Sequence, residues 1–233
     1  MHLVLESKMT RKSYADQLEE LREDVLEMGT TVRERLDQAL EAMVHVDVDR
    51  ADEIGKGDDQ IDDTYVEIER KCSDLLALQQ PVASDLRLIT ASFKIITDIE
   101  RIGDKVVNLT DYTMLVRDKR ILDEQDIVEL GEFASTMLED ALSSYGSEDT
   151  ELAREIVERD DEMDALCEKS TNRILAHLIE KESETLNTEQ ATSLGQQVST
   201  ELLSIRDLER VADHATNIAA RTIYLVTSTR EMI

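Results

Sequence analysis

The sequence predicts an all-α protein: two pseudo-symmetric antiparallel three-helix bundles, six long helices in all. Three observations lead there. Apolar residues recur every three or four positions from residue 13 onward, the period of a helix with one buried stripe. Aromatic residues make up only 3 % of the chain, with no Trp, one Pro and seven Gly, which suits helices filled with Leu, Ile, Val, Ala and Met and not a β fold. The chain also repeats itself. DIERIGDKVVNLT at 98–110 returns as DLERVADHATNIA at 207–219, and DDQID at 58–62 returns as DDEMD at 160–164. The offsets are 109 and 102 and the order is kept, which marks a duplicated three-helix unit.

Leu18, Leu21, Val25, Met28, Val32, Leu36, Ala39, Met43 and Val46 draw one stripe along a first helix of about nine turns. A second helix spans 50–79, with Ile54, Ile61, Tyr65, Ile68, Cys72 and Leu75 inward. Pro81 has no N–H to donate, so it breaks that helix and suits the first turn of a third over 82–118. The third helix turns Leu86, Ile89, Phe93, Ile96, Ile99, Ile102 and Val106 inward. Asp123 and Asp126 open a fourth, which reaches Tyr145 and is ended by Gly146. A fifth covers 148–182, and Asn187 or Thr188 caps a sixth that runs to 228. Short connections make neighbours antiparallel, so bundles are expected at 13–119 and 120–233 behind an N-terminal tail at 1–12.

Charge narrows the function. With 26 Lys+Arg against 53 Asp+Glu the net charge is −27, so the basic footprint of a nucleic-acid binder is missing. The same charge opposes electrostatic docking on an anionic membrane. There is no 18-residue apolar run for a membrane span, and MHLVLESKMTRK lacks a signal-peptide core, so a cytoplasmic protein is expected. The acids are spread along the chain, as on the surface of a halophilic protein whose self-repulsion is screened by salt. Cys72 and Cys167 sit in apolar patterns without a CxxC motif and are expected as buried free thiols.

The acids are also patterned. With Glu100 as the zero of a helical wheel, Asp104 falls near 40° and Asn108 near 80°, while Ile99, Ile102, Val106 and Leu109 gather at about 180–260°. Glu209, Asp213 and Asn217 repeat that oxygen-bearing stripe opposite Leu208, Val211, Ala215 and Ile218. On the second and fifth helices, Asp58/Asp62 and Asp160/Asp164 flank the apolar seam four residues apart. Antiparallel packing would converge Asp58 and Asp62 with Glu100, Asp104 and Asn108. Asp160 and Asp164 would likewise meet Glu209, Asp213 and Asn217. Like charges so placed raise one another's pKa, and a bound cation relieves them. Oxygen ligands suit Mg²⁺, Ca²⁺ or Mn²⁺, and carboxylate clusters also hold iron. A solvated acidic face, or ion pairs with Arg101, Lys105 and Arg210, would explain the same residues without metal.

A ferritin-like di-metal oxidase needs Glu-x-x-His pairs, but Ala42, Ile174 and Val211 stand three before His45, His177 and His214. His214 replaces Lys105 in the repeat, beside the stripe, and is expected on the surface. No P-loop, GxGxxG or Ser/His/Asp set is present. A carboxylate-cluster metal-dependent enzyme and a metal-free helical adaptor with a halophilic acidic surface stay open.

LLALQQPVASDLRLITASFKIITDIERIGDKVVNL at 75–109 and RDLERVADHATNIAAR at 206–221 resemble the phosphate-uptake regulator family, PhoU, and the resemblance covers nearly everything after residue 12. It implies paired three-helix bundles, often as homodimers, without catalysis. It further implies a cytoplasmic negative regulator of phosphate uptake. Such a regulator acts with the ATPase component of the phosphate ABC transporter and, in many bacteria, a sensor kinase. In the family, E/D-x-x-x-D motifs carry a divalent metal or an iron cluster. The matching positions are Glu100 and Asp104, Glu209 and Asp213, with Asp58/Asp62 and Asp160/Asp164 as partners. Lys105 stands where the family often has His, which disfavours metal at the first site.

Overall fold

The structure, a computed structural model, describes residues 2–79, 81–115, 120–182 and 187–228. Its helices are α1 (His2–His45), α2 (Val48–Gly55), α3 (Asp58–Gln79), α4 (Ala83–Leu115), α5 (Glu124–Ser147), α6 (Thr150–Glu158), α7 (Asp160–Glu182) and α8 (Thr188–Thr227), with no strand among the described residues. These are the six expected rods, two of them jointed. The second rod is α2 plus α3 and the fifth is α6 plus α7.

Each joint has a physical cause. At the first, Arg35 of α1 donates to the carbonyls of Ile54 (2.6 Å) and Gly57, so carbonyls freed at the end of α2 are satisfied. At the second, the Arg159 N–H donates to the carbonyls of Glu155 and Ile156, and its guanidinium reaches Asp140 at 2.6 Å. Both joints make an acidic string open a new helix. Asp58 and Asp59 lie in the first turn of α3, and Asp160, Asp161 and Glu162 in that of α7, where the helix dipole favours negative charge.

Other boundaries differ from expectation. Pro81 precedes α4 instead of sitting in its first turn, and the Leu86 N–H donates to Val82 O. Helix α5 continues through Gly146 to Ser147, and Glu148 takes the left-handed cap at φ 55°. Gly146 serves packing instead, since a Cβ there would stand 3.1 Å from Leu26. Of the two candidate caps for α8, Asn187 is the one used, in a reciprocal capping box with Gln190.

The core is one continuous cluster that spans both repeats. Ile99, Ile102 and Leu109 are fully buried on α4, as are Val211, Ala215 and Ile218 on α8. Leu86 and Phe93, expected inward, are 43 % and 36 % exposed. They fall near 40° and 20° on the α4 wheel, on the side of Glu100 and away from the core face.

The strongest packing joins α1 to α4, α4 to α8 and α5 to α8, so these four helices form the centre, with α3 and α7 outside. Helices α1 and α5 run antiparallel. Leu142 fills the notch at Gly29, and Leu40 fills the notch at Gly131, where a Cβ would stand 2.6 Å from the leucine. The two pairs lie 102 residues apart, so they are images of each other under the pseudo-two-fold axis. Polar pairs follow the same symmetry: Arg33 meets Glu139 at 3.5 Å and Ser135 donates to Asp37 at 2.5 Å.

Candidate metal centres and the seam between repeats

Antiparallel packing of α3 on α4 and of α7 on α8 brings the acidic strings beside the oxygen stripes. Gly103 permits the first approach, since a Cβ there would stand 3.4 Å from Ile61 and 3.9 Å from Asp58 Oδ1. The buried Ala212 holds the same place in the second repeat.

The electrostatics match the expected convergence. Burial pushes the Glu100 carboxyl above the usual carboxylate range, and Asp104, Asp62 and Asp58 push it further against the pull of Arg101. Burial and Asp62 raise Asp58, with Arg35 opposing and Asp104 and Asp59 adding. In the second repeat, burial, Asp213, Asp164 and Asp160 raise Glu209 against Arg210. Burial and Asp160 raise Asp213, with His214 opposing and Asp164 adding. Four carboxylates therefore share one field in each repeat. Their all-oxygen chemistry fits a hard cation. Their placement falls short of a closed site, because among the described residues no three His, Cys, Asp or Glu stand close enough together to hold an ion. Asp62, Asp104, Asp164 and Asp213 are exposed, so their carboxylates are the ones with room to turn inward.

The raised values have a testable consequence. An acid whose folded pKa lies above its ordinary value favours folding fully below that ordinary value. The benefit is lost as pH rises through the folded value. At neutral pH the charged clusters therefore cost stability. In chelator, Glu100→Gln/Glu209→Gln should raise the unfolding midpoint by a few degrees at pH 7 and give no gain near pH 4. A gain that persists at pH 4 would show that the shared charge is not the cause.

The remaining candidates go elsewhere. Asn217 is exposed. Asn108 donates its amide to Asp207 across the α4–α8 seam at 3.0 Å. That seam holds two acids that the wheel analysis passed over, Asp98 and Asp207, repeat counterparts that are 1 % and 0 % exposed. Asp98 accepts from Arg221 Nε at 2.8 Å and from His214 Nδ1 at 3.1 Å. Asp207 accepts from Tyr112 at 2.9 Å and from Asn108, with Arg206 at 3.4 Å. Arg221 is the repeat counterpart of Tyr112, so the two clamps are symmetric in position and different in chemistry. His214 is not the surface histidine expected, since its side chain is 14 % exposed and belongs to a clamp. In the second cluster, Thr216 donates to Asp160 at 3.0 Å.

Neither cysteine takes part. Both are buried and free, and burial pushes each thiol up to about 12.

A PhoU domain family model matches residues 25–113 and 127–222. The chain belongs to the PhoU family. A phosphate-specific transport system accessory protein PhoU homolog of Clostridium acetobutylicum is 35 % identical over 221 residues, 94 % of this chain and 96 % of that protein. Its counterpart in Aquifex aeolicus is 36 % identical over 165 residues, covering 70 % and 75 %. The crystal structure of PhoU from Pseudomonas aeruginosa superposes with a TM-score of 0.84 at 28 % identity over 93 % of this chain and all of that one. The bundle architecture is thus that of PhoU proteins, and both acidic clusters fall inside the matched stretches. No described helix is long and apolar enough to cross a membrane.

Proposed function

We propose that this chain is a non-catalytic, cytoplasmic negative regulator of phosphate uptake. In this reading it works as a homodimer and docks on the ATPase component of a phosphate ABC transporter, and in some cells on a sensor kinase as well. The observation that carries the reading is the near full-length match to phosphate-specific transport system accessory proteins. The paired clusters add a cation to it: Asp58, Asp62, Glu100 and Asp104 would hold one ion, and Asp160, Asp164, Glu209 and Asp213 another. Bound there, a cation would neutralise like charges that burial has already strained. In the second cluster Thr216 steadies Asp160, while the clamp takes His214 and Asn108 out of the ligand sets.

Two measurements test this. Phosphate uptake by cells lacking the gene should no longer fall when phosphate is in excess; unchanged control would overturn the regulatory role. Chelator-treated protein given Mn²⁺ or Mg²⁺ at about a hundred times its Kd should unfold about 5–10 °C higher, a gain absent when Glu100, Asp104, Glu209 and Asp213 are all Ala. An equal gain in that variant would remove the clusters from the account. Mn²⁺-dependent turnover of a phosphoester would favour the enzymatic alternative.

A further inference from the structure

Helices α1 and α3 leave an open groove on the flank of the first repeat. Two hollows of about 360 and 500 Å³ share Glu67 and Lys71 and so run into one another. The groove extends from Gln17 to Thr31 of α1, about 21 Å at 1.5 Å per residue, or four helical turns. Its floor is apolar: Met28, Ile61, Ile68 and Leu75. Its walls are acidic: Glu20, Asp24 and Glu27 from α1, Glu67 and Asp74 from α3. Against these five acids stand Arg70 and Lys71.

Lys71 is already spent. It reaches across from α3 to Glu20 at 3.0 Å and to Asp24, where the two hollows meet. It occupies the position a cation from a partner would take.

We propose that this groove docks a basic amphipathic helix of a partner protein. A linear trough between two antiparallel helices is completed by a third helix whose narrow apolar ridge meets the floor. Cationic side chains beside that ridge meet the acidic walls. A second copy of this chain is a poor occupant, since it brings its own −27 to an acidic wall. On the α3 wheel the groove residues Glu67 and Lys71 lie near 180–220° from Asp58, and Asp62 lies near 40°. The core stripe separates them, so docking and cluster chemistry can be tested apart. The proposal gives the regulatory role a partner chemistry and rests on that role only for its biological meaning.

The probe is a fluorescein-labelled Leu/Lys amphipathic peptide of about four turns, titrated by anisotropy against the full-length chain, with a sequence-scrambled peptide of equal charge as control. Glu27→Lys/Glu67→Lys should weaken binding about tenfold, and Lys71→Met should tighten it several-fold by freeing Glu20 and Asp24. Thr64→Trp, which fills the trough without changing charge, should abolish it, with circular dichroism confirming the helices. Glu151→Lys/Glu168→Lys, on exposed positions of the other repeat, should leave it within about twofold. No binding of the amphipathic peptide, equal binding of the scrambled one, or equal loss in the distant variant would overturn the proposal. None of these results touches the uptake test, so either reading can fail alone.

Discussion

Asp98→Ala should lower the stability of the chain by about 3–5 kcal/mol, the usual cost of removing one partner from a buried ion pair. The carboxylate is 1 % exposed and both its oxygens are used, one by Arg221 and one by His214. Arg221 is 19 % exposed and His214 14 %, so neither regains full hydration when the acid is gone. The twin substitution Asp207→Ala should cost less, about 1–3 kcal/mol. It strands neutral groups, the Tyr112 hydroxyl and the Asn108 amide, while Arg206 is half exposed and free to turn to water. Urea unfolding of the two variants side by side checks the difference. Equal costs would mean that buried shape, and not the charge of the partners, sets the price.

Glu201→Ala should cost about 3 kcal/mol, and Glu201→Gln clearly less. Glu201 lies on α8 and is 5 % exposed. Its two oxygens accept from the backbone N–H groups of Ile121 and Leu122 at 2.8 and 2.7 Å, pinning the strap that leads into α5. It also faces Arg120, whose burial lowers its pKa while Glu201 and Glu124 raise it. Arg120 donates one nitrogen to Val44 O and keeps the other buried without a partner. Alanine would strand two backbone donors and deprive that guanidinium of its nearest listed acid in one step. Amide exchange read at Ile121 and Leu122 should accelerate in the alanine variant and much less in the glutamine one. No change at those two amides would show that the strap is held by its apolar contacts alone.

The architecture was legible because its strongest signals are periodic. The stripe from Leu21 to Met43 and the wheel positions of Ile99, Ile102, Val211 and Ile218 depend only on spacing, and spacing is what a helix obeys. The joints were not legible, because the apolar period runs through Lys56–Gly57 and Arg159 undisturbed. What breaks the rods there is a set of hydrogen bonds, with Arg35 coming from twenty residues away in the first case. Leu86 and Phe93 were misjudged for a different reason: steps of three and four were followed without checking phase, and both had drifted to the side of Glu100.

The site was half legible. The shared field of Asp58, Glu100 and their neighbours follows from the wheel and the repeat. The clamps carried a signal that went unused. Asp98 falls near 160° on the α4 wheel, at the edge of the core face, and an acid written there twice at the repeat offset asks for a buried partner. Finding that partner required the crossing of α4 and α8, which no local pattern encodes.

The crossing has a historical sense as well. Each clamp is assembled from both halves of the chain, and neither half holds a whole one. If the first half paired with a copy of itself, Asp98 would face Lys105 and Tyr112. If the second half did so, Asp207 would face His214 and Arg221. Both pairings are chemically sound. The present chain is therefore the shape left when a self-associating ancestor was fused end to end: a lock whose two keys were once the same and have since been cut differently.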